Sequence, residues 1–349
     1  SSDVCSSDLF RDIAENAVAP APAGAVVGAT DPDLGQQLFF SITGGNGSSI
    51  FQINSCSGQI QLAPGKTLNF QTARLYSLSV NVSDSGTPRM WDVQTYYVQV
   101  IDVDDPPVVL DQTRTVNENS VSPTLVGSPI AWSDPDTFGG NVLWFTQTFS
   151  IVAGNDRGVF AVNSATGQIS IASGGPLLLN FEDNNANVYN LLVRVADGGG
   201  ASTTATITVN VQNVNESPTF TDATYARSID ERTPSSVLTT GQNVGTPILA
   251  TDEDAGQATS MTFSISAGDS LGYFSIVATG TSRGQIQLTA AGAAGLDFET
   301  TPSYTLNILV VDSGFLSAAA SVTITVVNRN EAPVIAAQSR TVRENATIL

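Results

Sequence analysis

The chain has 349 residues, with 13 Lys and Arg against 32 Asp and Glu, a formal net charge of −19 and no histidine. That charge opposes nucleic acid and anionic membrane and favours cations, and the lack of histidine removes Ser-His-Asp and Cys-His catalysis and most zinc and haem ligation. No run of about 20 apolar residues reads as a membrane-spanning helix, and the abundance of Thr, Ser, Val, Ile, Gly and Asn is a β composition.

The first nine residues, SSDVCSSDL, resemble nothing later in the chain. Back-translated, they are similar to a sequencing-library adapter, so residues 1–9 read as a translated adapter fused to an open reading frame. On that reading native sequence starts at Phe10, and the N-terminus of the encoded protein lies upstream. Without Asp3 and Asp8 the net charge is −17, and Lys66 is the single lysine. Without Cys5, Cys56 is the only cysteine, which leaves no intramolecular disulfide to staple an extracellular fold. About 340 residues call for two to four domains.

From Phe10 the elements run in a fixed order. Glu15 opens the first unit. Next come an acidic turn, Asp31-Pro-Asp33, and a hairpin-like stretch, FQINSCSGQIQL (51–62). The loop LNFQ (68–71) leads into YSLSVNVSDSG (76–86). There the alternation of Tyr76, Leu78, Val80 and Val82 with polar residues predicts a strand with one face on a core. A second alternating strand follows and ends at IDVDDPP (101–107).

The same order then repeats. Glu118, Asp134-Pro-Asp136, FAVNSATGQISI, LNFE (179–182), YNLLVRVADGG (189–199) and QNVNESP (212–218) form a second unit. Glu231, Asp252-Glu-Asp254, FSIVATGTSRGQIQL, LDFE (296–299), YTLNILVVDSG (304–314) and VNRNEAP (327–333) form a third, and Glu344 opens a fourth. The opening Glu residues are spaced by 103, 113 and 113. A unit of about 110 residues can hold its own core, and short strands separated by Gly, Pro and Asn turns indicate a β-sandwich.

The acidic anchors fall at strand ends and linkers, so carboxylates collect at the poles of each sandwich. Close carboxylates repel by about 1–4 kcal/mol per pair and raise one another's pKa. With no lysine and few arginines near these motifs, the counter-charge expected is a metal. Hard oxygen ligands without His or Cys suit Ca²⁺, which takes six to eight oxygens, better than Mg²⁺. Taken singly, Asp-Pro-Asp and Asp-Ser-Gly are ordinary turn sequences; it is their joint recurrence that points to metal.

The order E…DxD…GxI…LDxE…VxDxG…NxNExP resembles the cadherin repeat across residues 10–349. The linkers, Asp102-Val-Asp104-Asp105-Pro-Pro, Asn213-Val-Asn215-Glu216-Ser-Pro and Asn328-Arg-Asn330-Glu331-Ala-Pro, are tighter by one residue than the family's Asp-x-Asn-Asp-Asn-x-Pro, and two carry Glu for its second Asp. This form is similar to cadherin-like repeats of microbes and of large non-classical surface proteins. The resemblance implies an all-β chain of tandem Greek-key, immunoglobulin-like sandwiches: repeat 1 at 10–105, repeat 2 at 106–217, repeat 3 at 218–332 and the start of a fourth at 333–349.

It also implies Ca²⁺ between consecutive repeats. The first junction would use Glu15, Asn69, Gln71, Asp104 and Asp105 from repeat 1 and Asp134, Asp136 and Asp197 from repeat 2. Asn69 and Gln71 stand where the family has Asp and Glu, so an outer ion there is expected to be weak. The second junction would use Glu118, Asn180, Glu182, Asn215 and Glu216 with Asp252, Asp254 and Asp312, and is expected to hold two to three ions. Half of a third is present in Glu231, Asp297, Glu299, Asn330 and Glu331. Asp31, Asp33 and Asp84 would serve a linker upstream of Phe10.

The implied function is a Ca²⁺-stiffened, extracellular or cell-surface adhesion array. Its partners would be other cadherin-like repeats or surface proteins, with no nucleic acid and with any membrane anchor outside 10–349. The alternative is a passive stalk whose binding activity lies elsewhere. An enzyme is the poorest fit, since no nucleophile motif or histidine is present. Trp91, Trp132 and Trp144 form no repeated stripe and read as core or strand-surface residues, not as a sugar platform. Cys56 reads as an idle or buried thiol in a hairpin turn, and the sequons at Asn46, Asn81 and Asn345 fit surface positions.

Overall fold

A computed structural model describes residues 6–33, 35–136, 146–173, 179–183, 187–335 and 337–339. Trp144, Glu344 and Asn345 lie outside the described residues. Two compact units are present. The first comprises 1–179 and 186–212, and the second 180–185 and 213–349.

Strands dominate because the sequence alternates at period two. Three four-stranded sheets share one order. In the first unit one sheet runs Phe10–Ala14, Trp91–Ile101, Leu75–Ser83, Phe39–Gly44, and the other runs Gln112–Asn117, Ser202–Gln212, Val188–Ala196, Thr148–Ala153. The second unit has Thr224–Asp230, Ser317–Val327, Ser303–Val311, Thr262–Ala267. In each, the opening strand pairs in parallel with the last strand, and the other pairs are antiparallel. Placing a sequence-distant first strand beside the last is the return connection of a Greek key.

A second layer faces each sheet. It is built on the predicted hairpins, Phe51–Ile53 with Ile60–Leu62, Phe160–Val162 with Ile169–Ile171, and Phe274–Ile276 with Ile286–Leu288. An upstream segment joins each hairpin through an isolated bridge, Pro22 with Gln61, Leu125 with Ser170 and Asn243 with Gln287. The predicted inward residues meet this layer. Tyr189, Leu191, Val193 and Val195 are all buried, as are Leu306, Ile308 and Val310, while Tyr304 packs half-buried beside them. In the first sheet Leu78 and Val80 are buried, but Tyr76 and Val82 are only half-buried.

Two features escaped the sequence reading. Arg11, Arg114 and Arg227, each four residues before an opening Glu, send Nε to the carbonyls of Ala25 (2.7 Å), Ser128 (3.0 Å) and Thr246 (2.8 Å). They stitch the opening strand to the second layer. The Phe274–Ile276 and Ile286–Leu288 hairpin also leads into a short helix, Ala290–Gly295, whose Gly292 N–H donates to the Thr289 hydroxyl at 3.1 Å, a side-chain cap.

Trp91 is a strand-surface residue, and Trp132 packs edge-on to Phe149 at 6.5 Å. Cys56 is exposed in the hairpin turn, where Asn54 Oδ1 accepts from the Cys56 and Ser57 N–H groups at 3.0 and 2.9 Å. Asn46 is exposed and Asn81 half-buried.

Candidate metal centre

The opening Glu residues are placed by backbone. Glu15, Glu118 and Glu231 follow the opening strand, and their N–H groups donate to the last strand's Ile101, Gln212 and Val327 carbonyls at 3.1, 3.0 and 3.1 Å. All three are buried, at 7%, 2% and 1% exposure. Glu15 accepts from Phe70 N at 2.8 Å and Val103 N at 2.9 Å, so one carboxylate ties the LNFQ loop to the linker. Glu231 takes the equivalent pair, Phe298 N at 2.9 Å and Arg329 N at 2.5 Å, and these donors hold its carboxyl below the usual range.

The acidic turns share one geometry. Asp33, Asp136 and Asp254 N–H groups donate to Asp31, Asp134 and Asp252 Oδ1 at 2.8, 3.0 and 3.0 Å. The strand-terminal aspartates do similar turn work. Asp84 Oδ1 accepts from Gly86 and Met90, Asp197 Oδ1 from Gly200 and Ala201, and Asp312 Oδ1 from Leu316. The bland turn reading is therefore half of the account. The second oxygens of Asp134, Asp197 and Asp252 are buried with no hydrogen-bond donor among the described residues.

In the first unit these groups converge. Asp105 N donates to Asp136 Oδ2 at 2.6 Å, and Gln71 Nε2 donates to Asp136 Oδ1 at 2.8 Å and Asp102 Oδ1 at 3.4 Å. The Asp104 carboxylate lies against Gly199, where a side-chain carbon would overlap it; the glycine of the Asp-x-Gly motif makes room for the linker. Asp102 Oδ2 and Asp104 Oδ1 are also buried without a donor. Desolvation, then the charges of Asp136 and Glu15, push the Asp102 carboxyl up to about 6, and Arg74 offsets this only in part. Burial likewise raises Asp104, Asp105 and Asp134, with neighbouring carboxylates adding to it. Asn69 stands apart from this group, with its Oδ1 accepting from Thr72 N at 2.7 Å.

In the second unit Asn213 Nδ2 bridges Glu182 Oε1 and Asp254 Oδ1, both at 2.9 Å, and Glu216 N donates to Asp254 Oδ2 at 2.9 Å. Asn215 donates to Asp312 Oδ2 at 3.1 Å, and Asn180 reaches Glu253 Oε2 at 3.4 Å. Burial raises the Asp252 carboxyl. Glu118 belongs to the first unit. Glu231, Asp297 and Glu299 bring ligand oxygens within 4.8 Å of one another, while Asn330 and Glu331 are exposed. Asp31 and Asp33 stay together at their turn, and Asp84 is buried.

The first linker position, not among the ligands expected from the sequence, also joins the site. Asp102, Asn213 and Asn328 all face the loop residue, but the partners are exchanged. Gln71 donates to a carboxylate at Asp102, whereas Asn213 and Asn328 donate to Glu182 and Glu299. The charge lost at Gln71 thus returns at Asp102. The repetition of that linker position was the available signal.

Comparison with known proteins fits this geometry. Residues 11–101 and 228–327 match the cadherin domain model, and 104–210 match a bacterial Ig domain model although their sheet has the same strand order. The chain is 29% identical over 299 residues (82% of its length) to the Fat-like cadherin-related tumor suppressor homolog of Drosophila melanogaster. It is 27% identical over 335 residues (92%) to human Protocadherin Fat 4. It spans only 6% of the length of either relative. The structure of mouse Cadherin-23 EC22-24 superposes with a TM-score of 0.65 at 21% identity, covering 93% of this chain and 96% of that one. With cadherin-domain matches over more than half of its residues, and with the same sheet order in all three sheets, the chain belongs to the cadherin family.

Proposed function

We propose that the chain is an extracellular array of three cadherin-like sandwich repeats whose linkers bind Ca²⁺ and are stiffened by it, serving cell-surface adhesion. The observation that carries the reading is the split use of Asp134, Asp197 and Asp252: one oxygen of each caps its turn, and the other is buried without a donor among the described residues. A buried, unpaired carboxylate oxygen is costly, and a cluster of them, with the Asp102, Asp104 and Asp134 carboxyls raised by burial, is the environment a divalent cation relieves.

Glu15, Asp102, Asp104, Asp105, Asp134, Asp136 and Asp197 would hold ions at the first linker. The donors are all oxygen, which fits Ca²⁺. The metal would supply the counter-charge the described residues lack, and the linker would then behave as a cross-link. Extracellular modules bind Ca²⁺ at about 10⁻⁴–10⁻³ M, a level suited to the cell exterior, and stiffening by metal explains how the fold manages without a disulfide. Fat-type and protocadherin relatives support adhesion with other cadherin repeats as partners. A passive stalk would share every metal property and lack a recognition surface. No catalytic role is proposed.

Calorimetric Ca²⁺ titration, with melting followed in EDTA and in about 2 mM Ca²⁺, tests the reading. Millimolar or tighter binding with a higher melting temperature is expected. No heat and no stabilisation at several millimolar would reduce the acidic turns to turns.

A further inference from the structure

At the first linker Asp104 Oδ1, Asp134 Oδ2 and Asp197 Oδ2 have no donor among the described residues, and Asp134 and Asp197 are each 7% exposed. In the second unit Asn215, Asp252 and Asp312 stand at the corresponding places in the chain. Asn215 lies against Gly314 as Asp104 lies against Gly199. Yet two of these three residues are already satisfied. Asn215 Nδ2 donates to Asp312 Oδ2 at 3.1 Å, and Leu316 N donates to Asp312 Oδ1 at 2.9 Å. Asn215 Oδ1 accepts from Gln257 Nε2. Of the three, Asp252 alone keeps an oxygen without a donor among the described residues.

Gln257 reaches this place because the chain after the acidic turn puts it there. Gly256, at φ +83°, turns the backbone into a single turn of helix, Gln257–Ser260, in a conformation that costs glycine little. Ala258 packs against the core of the third sheet, and its carbonyl accepts from Arg283 Nη2 at 2.7 Å, so the helical turn is fixed. Gln257 Oε1 then accepts from Ser313 N at 3.0 Å and Ser313 Oγ at 2.7 Å.

A carboxamide carries both a donor and an acceptor, and here it uses both. It joins the linker, at Asn215, to the loop that follows strand Ser303–Val311, at Ser313. A bridging cation would make the same join. With Asn215 in place of a carboxylate, one of two facing charges is removed, and the remaining Asp312 is held by an amide, so no counter-charge is needed between them.

We propose that the Gln257 carboxamide takes the place of a divalent cation between Asn215 and Asp312. The second linker is then seated on its own following repeat without metal at this position, and it holds one ion fewer than its acidic residues suggest. As Ca²⁺ falls, Asp104 loses its seat while Asn215 keeps its own.

The inference rests on the Ca²⁺ reading of the linkers and sets a limit to it. Its test is calorimetric Ca²⁺ titration of the 349-residue chain to about 5 mM, above the range at which extracellular modules bind, with the Gln257 side-chain amide followed by ¹⁵N NMR. That signal, assigned by its absence in Gln257→Ala, should stay in place while backbone signals of the first linker shift. Gln257→Ala should bind one ion more than the unsubstituted chain and melt lower in EDTA. Asn215→Asp, which restores the facing carboxylates of the first linker, should also gain an ion, and it serves if Gln257→Ala does not fold. A Gln257 signal that moves with Ca²⁺, or variants that bind no more ions than the unsubstituted chain, overturn this proposal and leave the Ca²⁺ reading standing. No binding by any of the chains overturns both.

Discussion

The linker group around Glu15 and the group around Glu231 are built from matching residues and differ in what surrounds them. In both, a buried Glu takes two backbone N–H donors, one from the loop and one from the linker. Around Glu15, Asp134, Asp136 and Asp197 join the group, and the Asp102, Asp104 and Asp105 carboxyls are driven up. Around Glu231 the described carboxylates are Asp297, Glu299 and Glu331; a backbone hydrogen bond lowers Glu299, and desolvation with the charges of Glu231 and Glu331 outweighs it and raises that carboxyl. There Asp297, held first by the Thr300 hydroxyl at 2.9 Å, lies below its ordinary value. The Glu cradle is therefore intrinsic to one repeat, and the charge crowding is heavier at the Glu15 group, where the Asp102 carboxyl is pushed up to about 6.

The largest effect that would sharpen this comparison is on calcium. With a dissociation constant near 10⁻⁴ M, about 2 mM Ca²⁺ stabilises by about 1.8 kcal/mol per ion. Calorimetry should show that gain in the first unit's transition at the Glu15 group, and no contribution from Glu231. Loss of the gain in Glu231→Ala but not in Glu15→Ala would break the comparison.

Without metal the order reverses. In EDTA, Glu231→Ala should lower the melting temperature more than Glu15→Ala, because removing Glu15 relieves repulsion on two raised carboxyls, Asp102 and Asp105, and removing Glu231 on one, Glu299. Equal losses would mean that the crowding has no energetic weight.

Acidity should act next. Carboxyls raised in the folded state bind protons more tightly than unfolded ones. Their stabilisation is fully present below 3.8 and is lost as pH rises through about 6 for Asp102. The metal-free chain should therefore melt higher at pH 5 than at pH 7, and Ca²⁺ should erase the gain by competing with protons. Glu231 and Asp297, held low, stabilise above 4.5 and 3.8 and lose that effect only as pH falls below those values, so they do not oppose it in this window.

The smallest effect concerns the exchanged pair. Gln71→Ala should weaken Ca²⁺ binding less than Glu182→Ala does, because it removes an amide worth about 1 kcal/mol and no charge. A titration with the opposite ranking would show that the amide oxygen of Gln71 is the ligand.

Much of this was legible in the sequence because it is written locally. Period-two alternation located the main strands, and recurring Asp-x-Asp and Asp-x-Gly located the turns. The function of Asp102 was not legible, because its meaning lies in its exchange with Gln71, a residue 31 positions away. Arg11, Arg114 and Arg227 were hidden for a related reason. Their partners are backbone carbonyls, which have no sequence signature. Nor could alternation distinguish half-buried Val82 from buried Val195, since Val109 packs in the core of Val195 and no described strand does the same beside Val82.

The parallel pairing of first and last strands bears on mechanical load. Tension enters a repeat through the start of its first strand and leaves through the end of its last, so it pulls two neighbouring ladders past each other. The hydrogen bonds are then loaded together in shear and cannot unzip one by one. The paired lengths grow along the chain, from five residue pairs (Phe10–Ala14) to six (Gln112–Asn117) to seven (Thr224–Asp230). Under a rising force the pairing of Thr224–Asp230, with seven residue pairs, should outlast that of Gln112–Asn117, with six.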